Sequence, residues 1–146
     1  MRFWDSSAFV PLIIDEATTE RLRAVMSEDT DIAVWMLTSV ELLSAIGRLD
    51  RLSDGLDDLI AGMRIEALGR YRQLTLVTEV DAVRRRAERL VGIHPLTAAD
   101  ALQLAAAQVA SQDRPDTLEF VTLDSRLAKA ARLEGFRVLP SATRVA

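Results

Sequence analysis

The chain has 146 residues, of which 49% are hydrophobic and 27% charged, a composition typical of one globular domain and unlike that of a disordered segment. It contains no cysteine and only one histidine, His94, which excludes disulfides, thiol catalysis and zinc sites built from Cys and His. The net charge of −4 argues against a uniformly basic surface for nucleic acid. No apolar run reaches the ~18 residues of a membrane span, and nothing resembles a signal peptide. We therefore expect one cytoplasmic domain over residues 1–146 that does not enter a membrane.

Short apolar runs alternate with longer helical patterns along the whole chain. In chain order the pattern predicts strand 2–5, helix 18–28, strand 32–36, helices 41–52 and 55–73, strand 75–78, helices 82–91 and 98–111, strand 119–123, helix 125–134 and strand 137–139. Several strand segments are apolar nearly throughout, which is typical of strands covered on both faces. This order predicts an α/β fold, a three-layer α/β/α sandwich around a five-stranded, mainly parallel sheet.

The charges are distributed unevenly. Residues 1–63 carry five basic and twelve acidic side chains, whereas residues 64–90 carry seven arginines and four acids. The arginines of this second segment are Arg64, Arg70, Arg72, Arg84, Arg85, Arg86 and Arg89. Guanidinium groups bind phosphate in bidentate fashion, so these residues are either a phosphate-binding rim or an ordinary solvated helix face.

Four carboxylates fall at the junctions between predicted strands and helices: Asp5, Glu41, Asp100 and Asp124. Asp5 and Asp124 end predicted strands, while Glu41 and Asp100 lie in first helical turns. Each has an ordinary structural explanation, since Asp5 and Asp124 are suited to capping helices. Thr38 with Glu41 has the form of a capping box, and Thr97 with Asp100 is a near variant.

The four positions together favour a functional site. In a parallel sheet with right-handed crossovers, strand ends and the N-termini of the following helices share one edge, where ligands of such sheets bind. Asp100 is also the only charged residue between Leu96 and Ala110, and a lone carboxylate on so apolar a helix should be paired, protonated or bound to a cation.

A metal ion is the counter-charge that this arrangement predicts. Two unit charges ~4 Å apart repel by about 4 kcal/mol at an effective dielectric near 20, and no basic residue occupies a matching edge position. Ligands that are all oxygen favour Mg²⁺ or Mn²⁺, ions suited to phosphodiester hydrolysis. Hydroxyl groups nearby are candidates to hydrogen-bond the carboxylates or metal-bound water, namely Ser6, Ser7, Ser39 and Thr122.

Four segments resemble the motifs of the PIN-domain nucleases, and more specifically the VapC-type toxins of bacterial toxin–antitoxin pairs. They are DSSA at residues 5–8, TSVELL at 38–43, LTAADALQLA at 96–105 and FVTLDSRLAKAA at 120–131. The resemblance covers essentially the whole chain, in order and spacing. One departure is Gln103, where many relatives carry histidine, and we assign that position no catalytic role.

The resemblance implies a Mg²⁺-dependent endoribonuclease that forms a homodimer and is inhibited by a cognate antitoxin protein. It also implies that Asp5 and Asp100 bind the metal and that Glu41 and Asp124 complete the acidic pocket. The resemblance therefore implies that the substrate is RNA.

Two alternatives are weighed against this interpretation. A haloacid-dehalogenase-like phosphatase needs a second Asp where Ser7 stands, and a receiver domain needs a Lys at the end of the fifth strand, whereas the only lysine, Lys129, lies in a predicted helix. The other alternative is a catalytically silent PIN-like binding module, in which loss of one or two carboxylates is expected. All four are present.

Overall fold

The computed structural model describes residues 1–141, and a sheet of five parallel strands organises it. The strands are β1 (Arg2–Trp4), β2 (Ile32–Trp35), β3 (Thr75–Val77), β4 (Glu119–Val121) and β5 (Val138–Leu139). Their order in the sheet is β3-β2-β1-β4-β5, and each of the four neighbouring pairs is parallel. The predicted α/β fold is confirmed, while residues 142–146 of the predicted domain lie outside the described residues.

Seven α-helices connect the strands within residues 1–141. They are α1 (Ser6–Phe9), α2 (Thr19–Glu28), α3 (Thr38–Leu52), α4 (Asp57–Tyr71), α5 (Val80–Ile93), α6 (Ala98–Ala110) and α7 (Ser125–Leu133). Helix α3 begins three residues before its predicted start, because the amides of Val40 and Glu41 already donate to the carbonyl of Leu37. Leu37 is therefore the N-cap, without a side-chain cap bond, and the predicted capping box of Thr38 and Glu41 is wrong.

The helices form a layer on each face of the sheet. Alternate side chains of a strand point to opposite faces, so Phe3 packs in the core with helices α5, α6 and α7, whereas Trp4 packs with α1 to α4. The rings of Phe3 and Phe120 stack at a centroid distance of 5.5 Å on the first of these faces. Because both faces are covered, the strands are apolar throughout, as the sequence indicated. Within residues 1–141, no helix is both long and apolar enough to cross a membrane.

The direction of the chain across the sheet reverses between β1 and β4. From β1 the chain continues to β2 and β3 on one side, while β4 continues to β5 on the other. The helices that follow β1 and β4 therefore leave on opposite faces: α1 belongs to one core and α7 to the other. Such a reversal opens a crevice at the carboxyl ends of the two strands, the usual ligand site of open α/β sheets.

Candidate active site

A cavity of about 530 Å³ lies at this crevice and brings together all four of the predicted carboxylates. It is lined by Asp5, Ser6, Ser7, Val10, Pro11, Glu16, Val40, Glu41, Ser44, Ala45, Arg48, Asp100 and Asp124. Glu16 adds a fifth carboxylate that was not predicted, because it lies in the loop before α2 and belongs to no strand end or helix start.

Asp5 is the most deeply buried of these groups, with 2% of its surface exposed. Its backbone amide donates to the carbonyl of Val121 in β4, and the Ser7 hydroxyl donates to its carboxylate at 2.8 Å. Burial raises the pKa of Asp5 to about 7, although the Ser7 and Thr122 hydroxyls work in the opposite direction. Asp5 is the N-cap residue of α1, as predicted, but its side chain makes no cap hydrogen bond.

The Ser7 hydroxyl joins the two strand ends that border the crevice. Besides donating to Asp5, it accepts a hydrogen bond from the amide of Leu123 at 3.0 Å and lies 3.2 Å from the Thr122 hydroxyl. Thr122 in turn accepts from the amide of Asp124 at 3.1 Å. Ser7 and Thr122 thus fix the β4–α7 connection against Asp5. Ser39 has no such role, since its hydroxyl is directed at the carbonyl of Met36.

Glu41 is held from two different helices. The hydroxyl of Ser6 in α1 donates to one of its oxygens, and the side-chain amide of Gln103 in α6 donates to the other at 3.0 Å. The same Nε2 also donates to the hydroxyl of Thr38 at 3.1 Å. Gln103 is 1% exposed. The sequence reasoning missed its part in the site, although a glutamine three residues after Asp100 on an otherwise apolar helix was a usable signal.

Asp100 and Asp124 lie at the N-terminal ends of α6 and α7. Asp124 is an N-cap, as predicted, and its carboxylate accepts from the amide of Leu127 at 2.9 Å. Thr97 caps α6 by accepting a hydrogen bond from the amide of Asp100. Burial raises the pKa of Asp100, the charges of Asp124 and Glu41 raise it further, and a hydrogen bond with Thr97 and the charge of Arg126 act to lower it. Asp100 therefore interacts electrostatically with both Asp124 and Glu41, whereas burial alone raises the pKa of Asp5.

The donor set fits Mg²⁺ or Mn²⁺ in its chemistry. The cavity offers five carboxylates and several hydroxyls but no sulfur or imidazole nitrogen, the ligand preference of hard divalent cations. Within residues 1–141, no three side chains of His, Cys, Asp or Glu are already arranged around one ion position. Burial raises the pKa of both Asp5 and Asp100 and so disfavours their ionised forms. A bound cation would favour the ionised forms and lower both pKa values.

The prediction that no basic residue borders the carboxylates is wrong. Arg48, two turns after Glu41 on α3, lines the cavity, and Arg126 is near enough to Asp100 to lower the pKa of that carboxyl. Both arginines are exposed. Among the residues that the structure describes, neither forms a salt bridge.

Three of the four arginines of α5 are engaged elsewhere, while Arg85 is exposed and forms no salt bridge within residues 1–141. Arg84 pairs with Glu88 of its own helix, Arg86 pairs with Asp113, and Arg89 pairs with Glu134. Asp113 and Glu134 follow the C-terminal ends of α6 and α7, whose opposite ends carry the site. A 13-residue helix is about 20 Å long, so Arg86 and Arg89 lie far from the cavity, and the structure favours the solvated-face interpretation for α5.

Comparison with known proteins identifies the family and the fold. The model of the PIN domain family matches residues 2–133. The crystal structure of FitAcB from Neisseria gonorrhoeae is similar in fold, with a TM-score of 0.66 and 18% identity over 94% of this chain and 96% of that chain. A structure of FitAB bound to an IR36 DNA fragment gives a TM-score of 0.65 and 18% identity over 94% and 93%. No curated protein matches. Because the family match covers nearly the whole chain, the chain belongs to the PIN domain family.

Proposed function

We propose that this chain is a cytoplasmic endoribonuclease dependent on Mg²⁺ or Mn²⁺ that acts as the toxin of a toxin–antitoxin pair. PIN domains are generally nucleases, and the chain matches that family from residue 2 to residue 133. The observation that carries the proposal is the convergence of Asp5, Glu41, Asp100 and Asp124 on one cavity at the sheet reversal. No salt bridge among the described residues neutralises any of the four, and only Asp124 has a side-chain capping role.

In this proposal Asp5, Glu41, Asp100 and Asp124 hold the metal, which when bound supplies an oriented water of lowered pKa and positive charge for the phosphate oxygens. Ser7 fixes the Asp5 carboxylate through its hydroxyl, so Asp5 presents its charge in one orientation. With a pKa of about 7, Asp5 is protonated in about half of the metal-free molecules at neutral pH, and cation binding would release that proton.

We place the RNA strand across the cavity between Arg48 and Arg126. Both are exposed arginines without a salt bridge in the described chain, and they belong to the two helices that carry Glu41 and follow Asp124. Arg48 lines the cavity and Arg126 is near Asp100, and guanidinium groups suit the phosphates that flank the cleaved bond. In this proposal Arg48 and Arg126 replace the α5 arginines as the phosphate contacts.

A protein partner is part of the proposal. Apolar side chains are exposed along α3 and α4, among them Val40, Leu52, Leu59 and Ile65, and exposed apolar surface is typical of protein interfaces. We propose that the antitoxin and a second copy of the chain, in a homodimer, bury these exposed apolar side chains. One structural relative is described as FitAB bound to a DNA fragment, so that protein has been found together with nucleic acid.

The test of the enzymatic proposal is cleavage of a panel of structured RNAs with Mg²⁺, with Mn²⁺ and with EDTA. Wild type should cleave only with metal, and Asp100→Asn should not cleave. Asp113→Asn is the matched control, because it removes a carboxylate at the other end of α6. Cleavage that persists in EDTA or in Asp100→Asn overturns the metal site. A wild type that binds RNA without cutting it supports the silent binding module.

Growth provides the test of the toxin role. Expression of the isolated wild-type chain should arrest growth, and Asp100→Asn, expressed to the same level, should not. Harmless high-level expression of a protein that cleaves RNA after purification would contradict the toxin role and leave the nuclease standing.

A further inference from the structure

Gln103 occupies an unusual position for an amide side chain. It is 1% exposed and lies among the buried side chains Leu104, Ala105 and Ala106 of α6. Its Nε2 donates to two acceptors, the hydroxyl of Thr38 and the carboxylate of Glu41. Its Oε1 is buried and has no hydrogen-bond partner within the described chain. Packing does not require this residue, because an apolar side chain of the same length would leave no unsatisfied oxygen.

The orientation of this amide is dictated by Glu41. A carboxylate only accepts hydrogen bonds, so a flipped amide would set the Gln103 oxygen against an acceptor, and Nε2 must face Glu41. Both hydrogens of Nε2 are then in use, one for each acceptor. The unpartnered Oε1 is the consequence of directing the donor towards Glu41.

The second oxygen of Glu41 is taken by the Ser6 hydroxyl. Ser6 belongs to α1 and Gln103 to α6, which pack on opposite faces of the sheet. Glu41 therefore accepts hydrogen bonds from one helix in each of the two layers. In its own helix α3, Thr38 lies one turn earlier.

We propose that Gln103 is a positioning residue that fixes the Glu41 carboxylate for metal binding. This inference rests on the proposed function. Residues that hydrogen-bond metal ligands typically change metal affinity or activity by 10–100-fold when they are replaced. Gln103 acts on Glu41 and not on RNA, so its loss should alter metal affinity while the KM for RNA stays unchanged.

The experiment compares Gln103→Met with Gln108→Met. The control changes the same residue type on the same helix, where Gln108 donates to Glu134 far from the cavity. Mn²⁺ binding is measured directly by calorimetry on the purified chain without RNA, and cleavage kinetics are measured in parallel. Gln103→Met should bind Mn²⁺ about tenfold or more weakly, with an unchanged KM for RNA, and Gln108→Met should match wild type. Gln103→His should recover most of the affinity, because an imidazole N–H can donate to Glu41.

The outcomes separate this inference from the proposed function. If wild type and Gln103→Met bind Mn²⁺ equally and cleave equally, Gln103 only fills space and the inference is overturned while the nuclease stands. If wild type neither binds Mn²⁺ nor cleaves RNA, the proposed function fails and the inference fails with it. Should Gln103→Met not fold, Gln103→Asn replaces it, because its amide is one methylene too short to keep the bond to Glu41.

Discussion

Replacing Asp5 by Asn should stabilise the metal-free protein at alkaline pH. The folded chain raises the pKa of Asp5 from its ordinary value of 3.8 to about 7 by burial, and each pH unit of difference corresponds to about 1.4 kcal/mol. Holding Asp5 ionised above pH 8 therefore costs the fold up to about 4 kcal/mol, which an uncharged amide avoids. The amide loses part of the bond from Ser7, at a cost of about 1 kcal/mol. The expected net gain is about 3 kcal/mol.

The pH dependence fixes the sign of this effect. Because the pKa of Asp5 is higher in the folded state, the folded protein binds the proton more tightly than the unfolded chain does. The stabilisation from neutral Asp5 is complete below about pH 4, the unfolded pKa, and is lost as the pH rises through about 7. Asp5→Asn should thus resemble wild type at pH 4 and exceed it increasingly up to pH 8.

The assay is urea unfolding in EDTA across this range, since bound metal would stabilise the wild type by linkage and mask the sign. The control is Asp113→Asn, whose wild-type carboxyl has its pKa lowered by Arg86. That variant should lose a little stability at pH 8, less than about 1 kcal/mol because Asp113 is exposed, and the loss should disappear in acid. An Asp5→Asn protein that is less stable than wild type at pH 8, or whose advantage does not grow with pH, would refute the argument.

Three further predictions concern residues around and away from the cavity. Asp124→Ala should lower the free energy of unfolding in EDTA by about 0.5–2 kcal/mol, because the Asp124 carboxylate caps α7. Asp124→Ser should keep most of that stability yet lose cleavage. An Ala variant as stable as wild type would contradict the capping role. Arg48→Ala and Arg126→Ala should each weaken RNA binding and reduce the slope of log affinity against log salt by about 0.7, measured by fluorescence anisotropy in EDTA with Arg51→Ala as the control; unchanged slopes would remove these arginines from the RNA path. Arg86→Ala should leave RNA affinity unchanged while it loses the ion pair to Asp113, and weaker RNA binding in this variant would restore α5 as a contact surface.

Much of the fold could be predicted because its strands and helices are marked by local patterns. Strands buried on both faces are apolar throughout, and the four carboxylates occur where such runs give way to helices. Asp100 was the most informative of the four, since an ionisable group on an apolar helix has few structural explanations. The exact start of α3 was missed, because the first turn is closed by the backbone carbonyl of Leu37, which leaves no trace in the side chains.

Interactions between distant parts of the chain could not be predicted. The count of arginines in residues 64–90 did not reveal that Arg86 pairs with Asp113 and Arg89 with Glu134, residues 27 and 45 positions away. Glu16 reaches the cavity from a loop without a recognisable pattern. Gln103 looked like a neutral departure from the family motif, because its partner Glu41 lies 62 positions earlier.

The place of β1 in the sheet has a consequence for the timing of synthesis. Residues 2–4 leave the ribosome long before residues 119–121, yet β1 lies between β2 and β4 and pairs with both. One edge of β1 therefore stays unpaired while more than a hundred further residues are synthesised, which takes several seconds or longer at ~5–20 residues per second. Leu123, which donates to Ser7, and Asp124 follow β4 directly, so both are synthesised equally late. A nascent chain that stops before β4 already holds Asp5, Glu41 and Asp100 but lacks Asp124 and the strand beside β1, so the acidic cavity is completed only when nearly all of the described domain has been made.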